Sequence, residues 1–167
     1  MKYENAEVKL RAVKKVPRIQ TPGIEISEVQ EGREFVARFW VAEELVEAGL
    51  AEYSEPVLSQ TEWTQVHFKE RINPAGPPSR LPDDFYERAY QSFTQARDDP
   101  EKAALLQRMK AWYREILESR IGRITRLASS EAVSATSALS KDEADLYINV
   151  NRVVTAWRDR MRALGED

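Results

Sequence analysis

From Val8 the chain alternates apolar and charged side chains, Val8-Lys9-Leu10-Arg11-Ala12, the two-residue period of a strand with one buried face. Further short strands are expected over residues 24–29 and 33–38, because Pro22-Gly23 and Glu31-Gly32 supply turn chemistry ahead of each. The run FWVAEELVEAG that follows shifts to helical spacing and stops at Gly49, a residue suited to the left-handed position that closes a helix. Past residue 57 the period is helical almost throughout, with helices expected near 60–72, 83–97, 100–129 and 141–164. Ser59 with Glu62, and Ser140 with Glu143, have the S-x-x-E spacing of a capping box, and Asp99-Pro100 offers an N-cap followed by proline at the first helical position. The stretch NPAGPPSRLP, residues 73–82, cannot continue a helix and is expected as a surface loop. SSEAVSATSALS, residues 129–140, is rich in small hydroxyl side chains and is expected to be partly mobile. The fold class implied is mainly α: a small N-terminal β-rich module over residues 1–55, then an α-helical bundle domain over 56–167 with one long helix. A linker is expected near 53–59.

A helix over 100–129 is about 45 Å long, more than a chain of this size needs for its own core, so a partner is expected along it. Its apolar positions run Leu105, Met109, Trp112, Ile116 and then step by one to Leu117, Ile121, Ile124, Ala128. Such a step rotates the stripe and lets the two halves face different neighbours. The last helix carries Leu146, Val150, Val153, Trp157, Met161 and Leu164 at spacings of three and four, a seam for another long helix. Trp40, Trp63, Trp112 and Trp157 each fall on an expected helix. For Trp112 and Trp157 the pattern leaves intrachain core and subunit interface equally open.

Composition acts mainly by exclusion. With 25 Lys plus Arg against 28 Asp plus Glu, the 167-residue chain has a formal charge of −3 and lacks the net cationic character that binding duplex DNA by charge alone requires. The absence of cysteine removes disulfides, thiolate metal sites and a cysteine nucleophile, and the single histidine, His67, rules out a His-rich metal site. The N-terminus lacks the apolar core of a signal peptide and no apolar run is long enough to span a bilayer, so a soluble intracellular protein with no membrane partner is expected. Within 102–126, seven basic residues (Lys102, Arg108, Lys110, Arg114, Arg120, Arg123 and Arg126) stand against Glu115 and Glu118, with Trp112 and Tyr113 interleaved. That pattern serves nucleic-acid contact or, more simply, a solvated face and interface ion pairs. His67 has Glu62 and Glu70 on its own helix, and its plainer role is a surface or partly packed side chain. The acid pairs Asp83-Asp84, Asp98-Asp99 and Asp142-Glu143 fall at helix starts, where they favour the macrodipole. Dinucleotide and phosphate-loop fingerprints are absent, and no catalytic, metal-binding or cofactor-binding residue is assigned.

The order of parts, VPRIQTPGIEI and EFVARFWVAEELVEAGLAEY in the first module, then ESRIGRITRLAS and LSKDEADLYINVNRVV in the helical region, resembles a GINS complex subunit over most of the chain. A β module placed before the helical domain is similar to the kind called the 23 type in archaeal two-gene complexes. Val36-Ala37-Arg38-Phe39-Trp40-Val41-Ala42 departs from that family's V-P-L-W-L-A-like stretch by lacking the proline and containing Arg38. The resemblance implies a non-enzymatic scaffold of the replicative helicase at the replication fork, joining the MCM motor to a Cdc45- or RecJ-like partner, without a cofactor. It implies a dimer of dimers with a sister GINS subunit, in which DNA contact is possible only within the assembly. The alternatives are a helical nucleic-acid-binding adaptor and an unrelated protein-interaction module. From stripe geometry, Trp112, Ile116, Arg120, Arg123, Val153 and Trp157 are expected at the subunit interface, and Lys14 and Lys15 beside Val16-Pro17 at a second docking surface.

Overall fold

A computed structural model describes residues 2–54, 57–97, 99–130 and 136–165. The chain divides into two compact units, Met1–Val57 with Glu87–Ser92, and Leu58–Tyr86 with Phe93–Asp167. A small β region comes first and helices follow, so the protein is mainly α.

In the first unit, strand β1 (Glu7–Ala12) buries Val8, Leu10 and Ala12 and exposes Glu7, Lys9 and Arg11, as its alternation demands. It lies between β4 (Glu34–Arg38) and β5 (Ala51–Tyr53) in an antiparallel sheet of order β4-β1-β5. On the outer face, Arg11 sits opposite Glu34 and donates to it at 3.3 Å. β2 (Ile19–Thr21) and β3 (Ile24–Ile26) form a separate hairpin closed by Pro22-Gly23, where Gly23 takes φ +85°. Proline fixes the first turn position and glycine tolerates the second, so this pair closes a two-residue loop without strain. The expected strand over 24–29 therefore stops at Ile26, and Val29 makes only an isolated bridge with Val16. β2 and β5, three residues each, are too short to show alternation and escape a sequence reading.

Helix α1 (Phe39–Glu47) leaves β4 directly and turns Phe39, Val41, Ala42 and Leu45 inward. It ends where Gly49 adopts φ +66°, with the Gly49 and Leu50 amides donating to Val46 and Leu45. Phe39 packs against Tyr53 and edge-on against Tyr90, completing this core.

The second unit contains α2 (Gln60–Ile72), the ends of α3 (Phe85–Arg97), α4 (Ala103–Ser129) and α5 (Lys141–Ala163). Both capping boxes form: Ser59 and Ser140 accept from the Glu62 and Glu143 amides, and those carboxylates accept from the cap amides in return. Asp99 caps a 3-10 turn at Pro100–Lys102 that leads into α4; Asp98 lies outside the described residues, as do 55–56 in the linker and 131–135 in the Ser/Ala-rich stretch. Fully buried Trp63 is the hub of an aromatic cluster with Phe85, Phe93 and Tyr113, at ring separations of 5.6, 5.7 and 6.4 Å.

Contacts along α4 show how its neighbours run. Glu143 meets Arg120 and Asn151 donates to the Ala128 carbonyl, 23 residues apart in each case, so α5 lies parallel to α4 in constant register. By the same test α2 is parallel to α4, since His67 meets Glu115 and Glu70 meets Ser119. In that register Ser129, where α4 ends, stands level with Arg152. From there α5 continues for about 17 Å past the end of α4, and Arg158 reaches back to donate to the Ser129 carbonyl at 2.8 Å.

Candidate functional site

Two features mark the helical unit, a buried ion network on α4 and an exposed apolar seam on α5. The buried side of α4 runs Leu106, Met109, Ile116, Arg120, Arg123, Ile124 and Ala128. This is one continuous helical stripe in which two core positions are arginines. The one-residue step read from the apolar positions is thus an artefact of leaving charge out of the stripe, and Ile121 instead lies partly exposed.

Arg120 is fully buried. Its Nε and Nη2 each donate at 2.7 Å to the two oxygens of Glu143, and its Nη1 donates to Glu70 Oε1 at 3.2 Å and to the Ser79 carbonyl at 2.5 Å. Glu143 also accepts from Tyr86 Oη at 2.8 Å and from the Ser140 amide at 2.9 Å, which fills its four acceptor sites. Glu70 accepts from Ser119 Oγ and Ser79 Oγ, with Arg123 Nε at 3.2 Å. Arg123 donates in turn to the Pro77 and Glu70 carbonyls. Two arginines and two glutamates cancel in charge, and nearly every polar valence is met, as burial of ions requires.

Titration follows this geometry. Burial acts to raise the Glu143 carboxyl, but the Arg120 guanidinium and the Ser140 amide outweigh it and hold it below the ordinary range. Burial, reinforced by the negative charge of Glu143, pushes the Tyr86 hydroxyl far above its ordinary value. Burial acts to lower Arg120, and its two glutamates more than restore it.

The network also fixes a loop. Arg120, Arg123 and Arg126, successive residues along one side of α4, donate respectively to the carbonyls of Ser79, Pro77 and Pro74 at 2.5, 3.0 and 2.6 Å. The proline-rich loop 73–82 is held against α4 at three points, and it begins with a tight turn in which Gly76 donates to the Asn73 carbonyl. A Cβ at Gly76 would fall 2.4 Å from Nδ2 of the Asn73 side chain.

These contacts correct the interface set expected from stripe geometry. Ile116, Arg120 and Arg123 are buried within the chain, at 0, 0 and 3% exposure, and a partner cannot touch their side chains. Trp112 is half-buried beside His67, with ring centroids 6.2 Å apart. Val153 and Trp157 are exposed at 63 and 55%, with Met161 and Leu164 exposed below them on the same stripe. Lys14 and Lys15 are exposed in the first unit, and Lys15 pairs with Glu28 at 3.0 Å. His67 uses neither Glu62 nor Glu70; it meets Glu115 across to α4 at 2.6 Å, and that bond holds the Glu115 carboxyl below its ordinary value. Of the seven basic residues in 102–126, Arg120 and Arg123 are buried, Arg126 holds Pro74, and Lys102 pairs with Asp99. Arg108, Lys110 and Arg114 remain on the exposed side of α4.

The sequence signal for the network was present in Arg120 and Arg123, which fall four and seven residues after Ile116 at core positions. Glu70 and Glu143, far along the chain, offered no comparable sign. Among the described residues no group of three or more His, Asp or Glu is placed to hold a metal ion, and no helix is long and apolar enough to cross a membrane. In comparisons with known proteins, no family model and no curated sequence matches the chain.

Proposed function

We propose that this protein is a non-enzymatic structural subunit of a GINS-type complex in DNA replication, holding the MCM motor to a Cdc45- or RecJ-like partner at the fork. The observation that carries the reading is the overhang of α5. Val153, Trp157, Met161 and Leu164 form one apolar stripe on a helix that has outrun its neighbour, and an apolar stripe on solvent is the signature of a surface awaiting a partner. A sister GINS subunit laying a long helix along this seam is the occupant the resemblance implies, in a dimer of dimers. An interface of ordinary size, about 800 Å² per partner, would be centred on Trp157, the residue type most enriched at interface hot spots. The seam also favours this reading over a nucleic-acid adaptor, because only Arg108, Lys110 and Arg114 of the basic window keep their side chains on the exposed surface without serving an internal contact.

The test is the mass of the full chain by light scattering after size exclusion, alone and co-expressed with candidate sister subunits from its own genome. A two-to-two complex that Trp157→Ala disrupts supports the proposal. A monomer indifferent to every replication partner, or a complex that Trp157→Ala leaves intact, removes it.

A further inference from the structure

The arginine ladder on α4 has an outcome on the opposite side of α2. α2 turns Trp63, Val66 and Glu70 inward, so Phe68 and Ile72, one helical turn apart, point the other way and are 61 and 64% exposed. The chain then passes into loop 73–82, where Pro74, Ala75 and Pro77 are exposed as well. Five apolar side chains within ten residues thus stand in solvent. Their backbone is not free to bury them, since the carbonyls of Pro74 and Pro77 are held by Arg126 and Arg123. Burying charge to fix a segment does little for stability in itself, whereas a rigid segment binds with less ordering cost.

Charge identifies what such a surface accepts. Between Trp63 and Pro82 the one acidic residue is Glu70, buried and committed to Arg120 and Arg123, while Lys69 and Arg71 flank the exposed apolar residues and Arg126 reaches the loop from α4. The surface is apolar, with Lys69 and Arg71 beside it on α2 and Glu115 of α4, next to His67 and Arg71, at its edge. We infer that the C-terminal turns of α2 and the pinned loop form a docking surface for an acidic segment of another protein that carries aromatic or aliphatic anchors. The apolar residues would seat the anchors, and Lys69 and Arg71 would select against basic or neutral sequences and speed encounter. This surface is separate from the α5 seam, so it stands or falls independently of the proposed assembly.

The test is selection of a random-peptide library displayed on phage against the full chain, with Phe68→Ser/Ile72→Ser and Lys69→Glu/Arg71→Glu as parallel targets. All four substituted side chains are exposed, and circular dichroism and thermal unfolding verify that each variant keeps its fold. Selected peptides are expected to be acidic with spaced apolar residues, and to bind each double variant about ten-fold or more weakly than the parent chain. An anionic vesicle of phosphatidylserine and a single-stranded oligonucleotide are the competing probes, and preferential binding of either through Phe68 and Lys69 overturns the assignment. It is overturned equally by a selection that yields no binders, by binders without acidic bias, or by binders that ignore both double variants.

Discussion

α4 and α5 invert the usual arrangement in opposite ways. The C-terminal half of α4 buries charge, at Arg120 and Arg123, while the C-terminal half of α5 exposes apolar surface, at Val153, Trp157, Met161 and Leu164. The difference lies in what stands beside each helix. α4 runs between two parallel neighbours and a loop that together supply two carboxylates and several carbonyls, so its arginines can leave water without losing hydrogen bonds. α5 outruns α4 at the level of Arg152; Arg158 still reaches back to the Ser129 carbonyl, but the stripe of Val153, Trp157 and Met161 is left in solvent. Buried charge here is an internal matter already settled, and exposed apolar surface is the open one.

The largest expected effect breaks the inner side of this contrast. Arg120→Ala should destabilise the fold by about 3–5 kcal/mol, because it leaves Glu143 and Glu70 buried with their main partner gone. Urea denaturation reads this directly, and a loss below about 1 kcal/mol would mean that water reaches the network. On the outer side, Trp157→Ala should change the stability of the isolated chain by less than about 0.5 kcal/mol, yet weaken assembly with a partner by about 2–4 kcal/mol. Equal effects on both would place Trp157 in the core and erase the contrast.

Smaller changes sharpen it. Tyr86→Phe removes one donor to Glu143 and should cost about 1.5–3 kcal/mol as a hydrogen bond to a charged group. It should also alter the pH profile at the alkaline end. The Tyr86 hydroxyl titrates higher in the folded state than in the unfolded one, so its contribution is present below the ordinary phenol range and is lost as pH rises beyond it. Tyr86→Phe should flatten that alkaline loss, with the part due to Tyr113, also raised by burial, left in place. Glu143 has the opposite sign. Its carboxyl titrates lower when folded, so its stabilisation is present above the ordinary carboxylate range and disappears as pH falls through it. Denaturation midpoints followed from pH 7 into acid should fall less steeply in Glu143→Gln, which starts from a lower stability. The smallest effect is at a cap: Ser59→Ala removes the acceptor for the Glu62 amide and should cost about 1 kcal/mol, measured by thermal unfolding.

Much of this was legible along the chain. The helices over 60–72 and 141–163 begin where Ser59-x-x-Glu62 and Ser140-x-x-Glu143 say they should, because a capping box is a contact between residues three apart and needs no tertiary partner. β1 and the Gly49 helix end follow for the same reason, a local period and a backbone angle. The candidate site was only half legible. Val153 and Trp157 sit on a stripe that can be read from spacing, but spacing cannot tell whether a neighbour covers it. Arg120 and Arg123 fall on the stripe whose geometry points to an interface, and spacing alone does not show that the chain itself buries them. Their burial depends on Glu70, fifty residues earlier, and Glu143, later in the chain, arriving at the same place.

The sequence by itself determined the elements, their caps and the two amphipathic faces, since these rest on angles and contacts within a few residues. Only the tertiary structure decided which face was satisfied. Parallel packing at constant register brought Glu143 to Arg120 and left Trp157 beyond the end of α4. The sign of a side chain's contribution, core or docking surface, is set by the neighbours that remove water from it, and those come from distant parts of the chain.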